Sequence, residues 1–235
     1  MGFENGLDRQ KAECSPLLKG AIMAFEGLQT RLVADVTFIE PVLGTNPGDP
    51  DILINYLIEL ARKQGEEIPP ELEVEHLRSL PEIKEEADKK STFFLRDEEG
   101  HIFIYDYMFK GLFKSACQAL YVIKGTASEK VKKNFKKRIA RHVFVYPRKI
   151  ILKLPEGEKV TMLERPLRAQ TPQGERVSIA RSEMVPAGTA CRVEIMTLMP
   201  DLLDCIEEWM DYGELKGIGQ WRNAGYGRFK YEWVK

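Results

Sequence analysis

Soft metal ligands and imidazoles are scarce: 235 residues carry four cysteines and three histidines. Cys14, Cys117, Cys191 and Cys205 form no C-x-x-C pair, and His76, His101 and His142 stand in separate segments without H-E-x-x-H or H-x-H spacing. No zinc site is therefore expected and no cofactor is read; the thiols are expected to be small buried apolar groups in a reducing compartment. A G-x-S-x-G nucleophile elbow is missing as well. Long apolar runs are lacking, because Lys, Arg, Asp or Glu interrupts every stretch before the roughly 18 residues a membrane helix needs. Glu4 and Asp8 stand where a secretory signal carries positive charge. A soluble, cytoplasmic protein without membrane partners is expected.

What is present suits a globular domain. Hydrophobic residues make up 43% and charged residues 30%, enough apolar matter for a core. The charges nearly cancel, 35 Lys+Arg against 36 Asp+Glu, yet they are unevenly placed. Residues 124–153 hold eleven Lys or Arg against Glu129 alone, whereas residues 59–99 hold thirteen acids against seven bases. The first segment is built to meet polyanions, and the second would repel them.

Periodicity outlines the elements. Residues 15–28 are a helix candidate. RLVADVTF from Arg31 alternates as a strand, with Leu32, Ala34, Val36 and Phe38 on one side, and ends in the turn-rich GTNPGDPD. Asp51 caps an expected helix through Lys63. STFFLRDEEGHIFIYDY reads as a hairpin, followed by a helix placing Phe109, Leu112, Phe113, Ala116, Leu120 and Ile123 on one face. Strands are expected in HVFVYPRKIILKL, KVTMLERPLRAQ, RVSIARSEMV and CRVEIMTLM, then the helix DLLDCIEEWMDYGEL and a closing strand FKYEWV. This order predicts an α+β fold: a ferredoxin-like, RRM-like antiparallel sheet with helices on one face and a β-rich insertion. An N-terminal extension over 1–30 would precede a domain over 31–235, with inserted segments at about 64–92 and 124–180.

Chemistry concentrates in the last glycine-rich segment, where Gly217, Gly219, Gly225 and Gly227 form two G-x-G pairs around Trp221, Arg222 and Asn223. Glycine permits positive φ and lets main-chain N–H groups approach phosphate oxygens. Trp221 and Tyr226 offer faces for base stacking, and Arg222 and Arg228 offer charge. The alternative is a tight helix-to-strand connection in which glycine only permits close packing. No Gly-Lys-Ser/Thr follows, so this is not a Walker A loop. Lys110 and Lys114 stand at a hairpin-to-helix junction, where a helix amino terminus favours anions. Lys132, Lys133, Lys136, Lys137, Arg138 and Arg141 belong to the basic run, whose phosphate contacts would give salt-sensitive affinity. Asp49 and Asp51 are weak catalytic candidates, since turn formation and capping explain both.

These residues resemble the RAMP superfamily, in particular the backbone subunits of CRISPR effector complexes. GIGQWRNAGYGRF is similar to the family's glycine-rich loop. FIEPVLGT, YDYMFKGLFKSACQAL and SEMVPAGTACRVEIMTL are similar, in order, to its first strand, its Lys-Gly helix start and its Glu-x-Val-Pro-x-Gly-Thr strand. The resemblance implies a ferredoxin-like fold gripping single-stranded guide RNA within an oligomer or multisubunit complex, with Lys110, Lys114 and the 217–227 loop near the strand. Lys114 stands where the family usually has Arg, and Phe109 replaces a small residue. Some family members cut target RNA with a loop aspartate, which keeps a metal-dependent ribonuclease using Asp49 or Asp51 as an alternative; a mobile-element interaction protein is another. Backbone nests and stacking rings do not distinguish RNA from single-stranded DNA.

Overall fold

The structure, a computed structural model, describes residues 29–48, 91–131, 133–172 and 174–234. The helices expected at 15–28 and from Asp51 to Lys63, most of the 64–92 segment, Lys132, and both candidate aspartates, Asp49 and Asp51, lie outside the described residues.

In chain order the strands and helices are β1 (Thr30–Phe38), β2 (Val42–Leu43), β3 (Asn46–Pro47), β4 (Ser91–Phe93), β5 (Leu95–Arg96) and β6 (Ile102–Tyr105). Next come α1 (Tyr107–Leu120), α2 (Ala127–Lys130), α3 (Phe135–His142), β7 (Val143–Tyr146), β8 (Lys149–Ile151), β9 (Thr161–Thr171) and β10 (Gly174–Val185). The chain closes with β11 (Ala190–Thr197), α4 (Leu203–Lys216) and β12 (Phe229–Trp233). The fold is α+β.

The main sheet is antiparallel throughout, in the order β12-β1-β11-β7. Period-two alternation explains its two faces. Ala34, Val36 and Phe38 are fully buried with Val193, Ile195, Val143 and Phe229, while Arg31 and Thr37 point to solvent. α1 and α4 cover the buried face. In α1, Phe109, Leu112, Phe113, Ala116 and Cys117 recur at helical spacing and are buried; Ile123, expected on that face, lies beyond the helix end and is exposed. α4 contributes Cys205, Ile206, Trp209 and Met210. Gly213 lets α4 approach closely, since a Cβ there would sit 2.7 Å from the Phe229 ring and 2.8 Å from Leu112.

The opposite face of this sheet is neutralised. Arg192 donates to both Asp35 oxygens at 2.6 and 2.7 Å, and Arg31 pairs with Glu194 at 3.0 Å. The Arg192 guanidinium holds the Asp35 carboxyl below its ordinary range. Such a face offers a polyanion no net attraction.

Two smaller sheets flank the first. β5, β6 and β8 form one; β2, β10, β4 and β3 form the other, with β9 paired to β10 along their length as a long hairpin. Glu183 anchors the base of that hairpin, accepting from the Phe94 N–H at 2.8 Å and pairing with Arg96. β7 falls within the 124–180 span expected to be inserted, yet it forms an edge of the main sheet.

Cys117, Cys191 and Cys205 are buried free thiols. Burial pushes Cys117 up to about 11 and Cys191 and Cys205 to about 12. Since the thiolate is the nucleophile, iodoacetamide at pH 8 is expected to spare all three in the folded protein and label them in denaturant. Peptide mass mapping reads the result, and labelling at the rate of a free thiol would contradict this packing.

Candidate nucleic-acid interface

The glycine-rich loop has a buried base and an exposed crown. Gly217, at φ 77°, ends α4, and a Cβ there would meet the Tyr226 carbonyl at 2.6 Å. Ile218 donates to the Gly227 carbonyl at 2.9 Å, and Gly227 donates to Pro41 at 2.8 Å. The N–H groups of Gly217 and Gly225 are also donated within the chain, to Gly213 and Arg222. These three glycines therefore shape the chain path rather than present their amides. Gly219 rests near the Leu43 backbone, 3.3 Å from its carbonyl oxygen to a would-be Cβ.

The crown carries the aromatic and cationic groups. Trp221 adopts left-handed backbone (φ 53°), is 40% exposed, and stacks on Tyr226 with centroids 5.3 Å apart and planes 16° from parallel. Arg228 is exposed and Arg222 half-buried, with no ion pair for either among the described residues. Lys216 donates to the Asn223 side chain at 3.0 Å, tying the crown to the end of α4.

An unexpected member joins this group. Arg165, from β9, lies over the Trp221 ring with its guanidinium carbon 4.3 Å from the centroid. The local fold explains the meeting: Met184 of β10 pairs with Leu43, and Gly219 packs on that same Leu43. The hairpin base and the loop thus share one turn. Arg165 carried no signal in the sequence, where LERPLRAQ reads as ordinary strand alternation.

A lysine cluster forms the second region. Burial, together with the charges of Lys110 and Lys136, lowers the pKa of Lys114, so α1 and α3 bring these three cations together. No carboxylate pairs with any of them among the described residues. Lys110 also extends over the Phe144 ring, 5.5 Å from its centroid. Its neighbour Asp106 is pushed up by burial, in opposition to the charges of Lys110 and Arg148. Within the basic run the residues divide. Lys137 and Arg141 are exposed, whereas Arg138 is tied to Asp201 at 2.5 Å and contacts Met199.

Topology brings the two regions to one end of the sheet. β7 and β1 both run antiparallel to β11, so they leave the sheet at the same end. Asp106, just before α1, donates to Arg148 beyond the end of β7, and Phe229 enters β12 opposite Phe38, where β1 leaves. The lysines flank the β7 edge and the loop the β12 edge, with β11 and β1 between them.

One other polar group comes together. Asp97, Glu99 and His101 place single ligand atoms within 4.8 Å of one another. The Asp97 carboxylate accepts the Glu99 and His101 backbone N–H groups at 3.1 and 2.7 Å, which closes the β5–β6 turn. It reads as turn chemistry. No helix among the described residues is long and apolar enough to cross a membrane.

No family model and no curated protein matches this chain. Among solved structures, it is similar to a chain of the type III-B Cmr-beta complex bound to cognate target RNA: 14% identity, TM-score 0.44, covering 93% of this chain. It spans 66% of the length of that chain. It is also similar to a chain of a type IV-B CRISPR complex, with 12% identity and TM-score 0.43 over 87% of this chain and 90% of that one.

Proposed function

We propose that this protein is a RAMP-like subunit that grips single-stranded RNA, working inside a multisubunit or homo-oligomeric ribonucleoprotein. The chain path β1-α1-β7-β11-α4-β12, with sheet order β12-β1-β11-β7, fits the split β-α-β pattern of a ferredoxin-like domain. The observation that carries the reading is electrostatic: one end of the sheet gathers a ring stack and cations that form no ion pair among the described residues, while the open face is neutralised by ion pairs. A strand would cross that end, its phosphates meeting Lys110, Lys114 and Lys136 near β7, and Lys137 and Arg141 beyond. At the β12 side Arg222 and Arg228 would hold phosphates while the Trp221–Tyr226 stack receives a base. Gly219, Asn223 and the other loop glycines would set the crown's path against the strand. Arg138, neutralised by Asp201, would steady α3 instead.

The test is titration of labelled single-stranded RNA, single-stranded DNA and duplex RNA at two salt concentrations, read by fluorescence anisotropy. Single-stranded RNA is expected to bind more tightly than duplex RNA, because stacking requires free base faces. Trp221→Ala and Arg222→Ala are each expected to weaken binding at least roughly tenfold, the scale of one lost stacked base or phosphate contact. Neither side chain belongs to the buried core, so circular dichroism should be unchanged. Unaltered affinity in both variants would remove the crown from the interface.

A further inference from the structure

Arg165 stacks on Trp221 but is buried with two of its nitrogens unsatisfied. It is only 9% exposed, and neither its Nε nor its Nη1 has a hydrogen-bond partner among the described residues. Among the described residues Nη2 has a single long contact, 3.4 Å to the Gln220 amide oxygen, and no carboxylate of theirs pairs with the group. Its same-side neighbours along β9 are Leu163 and Leu167, and Ala180 faces it across the hairpin. A methionine or leucine would fill that place without burying an unpaired charge, and a buried cation that lacks partners opposes folding.

What surrounds the guanidinium narrows the missing partner. The neighbouring crown offers two stacked rings, Trp221 and Tyr226, and two further cations, Arg222 and Arg228. An acceptor suited to this company is an anionic oxygen joined to a planar ring system. We propose that Arg165 is a phosphate-binding residue: an internal phosphodiester oxygen of the bound strand satisfies the Nε and Nη1 donors where the β9–β10 hairpin meets the glycine-rich loop. The inference rests on the RNA-binding reading above and adds the hairpin to the interface. Trp221 covers the guanidinium in the free protein; partly exposed and held in left-handed backbone, it is the group that yields when phosphate arrives.

The experiment uses the full chain, Arg165→Met and Arg165→Gln, and a single-stranded RNA with a 5′-hydroxyl, so that only internal phosphates are present. Arg165→Met is expected to bind about tenfold more weakly, with the slope of log K against log salt smaller by about 0.7. Without RNA the same variant is expected to melt no lower than the parent, since it loses a buried unpaired charge and keeps its volume. If the parent binds but Arg165→Met matches it in affinity and slope, the assignment of Arg165 falls and the RNA reading stands. Lower melting with an unchanged slope marks a structural residue and also overturns the assignment. Should Arg165→Met not fold, Arg165→Gln decides, an unchanged slope again overturning it. A parent protein that binds no RNA removes both readings.

Discussion

Replacing Lys110, Lys114 and Lys136 together by alanine is expected to weaken single-stranded RNA binding about a hundredfold. Three charge-assisted contacts at about 1 kcal/mol each give that loss, taking a modest value for each. The slope of log K against log salt should fall by about 2, three phosphates at roughly 0.7 each. Stability should change little, because the lysines repel one another and form no ion pair among the described residues, which offsets the loss of the Lys110 charge near Asp106. Burial first, and then the charges of the other two lysines, lower the pKa of Lys114. A phosphate would favour the charged form and so raise that pKa again. Affinity should therefore decline as pH rises toward the ordinary lysine range, earlier than for an exposed lysine, and the triple variant should lack that decline. Binding and slope equal to the parent's would place the strand elsewhere and undo the proposed path.

Legibility in the sequence followed the range of the signal. α1 and its buried face at Phe109, Leu112, Phe113 and Ala116 are readable because a 3.6-residue period is local. The alternation of β1 is readable for the same reason. The basic run is local only as composition. Folding splits it, sending Lys136 toward Lys110 and Lys114 on another helix and tying Arg138 to Asp201, sixty-three residues away. The two G-x-G pairs announce a special loop, and its parts differ: Gly217 and Gly227 permit close packing, while Trp221 and Arg228 face outward. Arg165 is the least readable. It occupies an alternating strand position like its exposed neighbours, and only the pairing of β10 with β2 carries it to Trp221. The placement of β7 in the main sheet is likewise long-range, since it is set by pairing with β11.

Gly227→Ala is the substitution expected to damage the fold most. Gly227 has φ 75°, a backbone region costly for alanine, and its Cβ would overlap the carbonyl oxygen of Ile218. The backbone has little room to retreat. The Gly227 N–H is held by Pro41 at 2.8 Å, and its carbonyl is held by the Ile218 N–H at 2.9 Å. Two residues on, Phe229 is fully buried against Phe38 and Phe109, with ring centroids 6.1 and 6.4 Å away. Relieving the overlap therefore pulls on β12, the strand that closes one edge of the main sheet. A loss of about 3 kcal/mol or more is expected, lowering the melting temperature by about 6–12 °C. Gly225→Ala supplies the contrast within the same loop. Its φ of 92° carries the same backbone penalty, but the nearest group to its Cβ is the flexible Arg228 side chain at 3.9 Å. That variant should lose only about 1–2 kcal/mol. Thermal melts of the two proteins separate conformational strain from steric exclusion. Equal losses would mean that the base of the loop is not the tightly packed hinge between α4 and β12 that its hydrogen bonds describe.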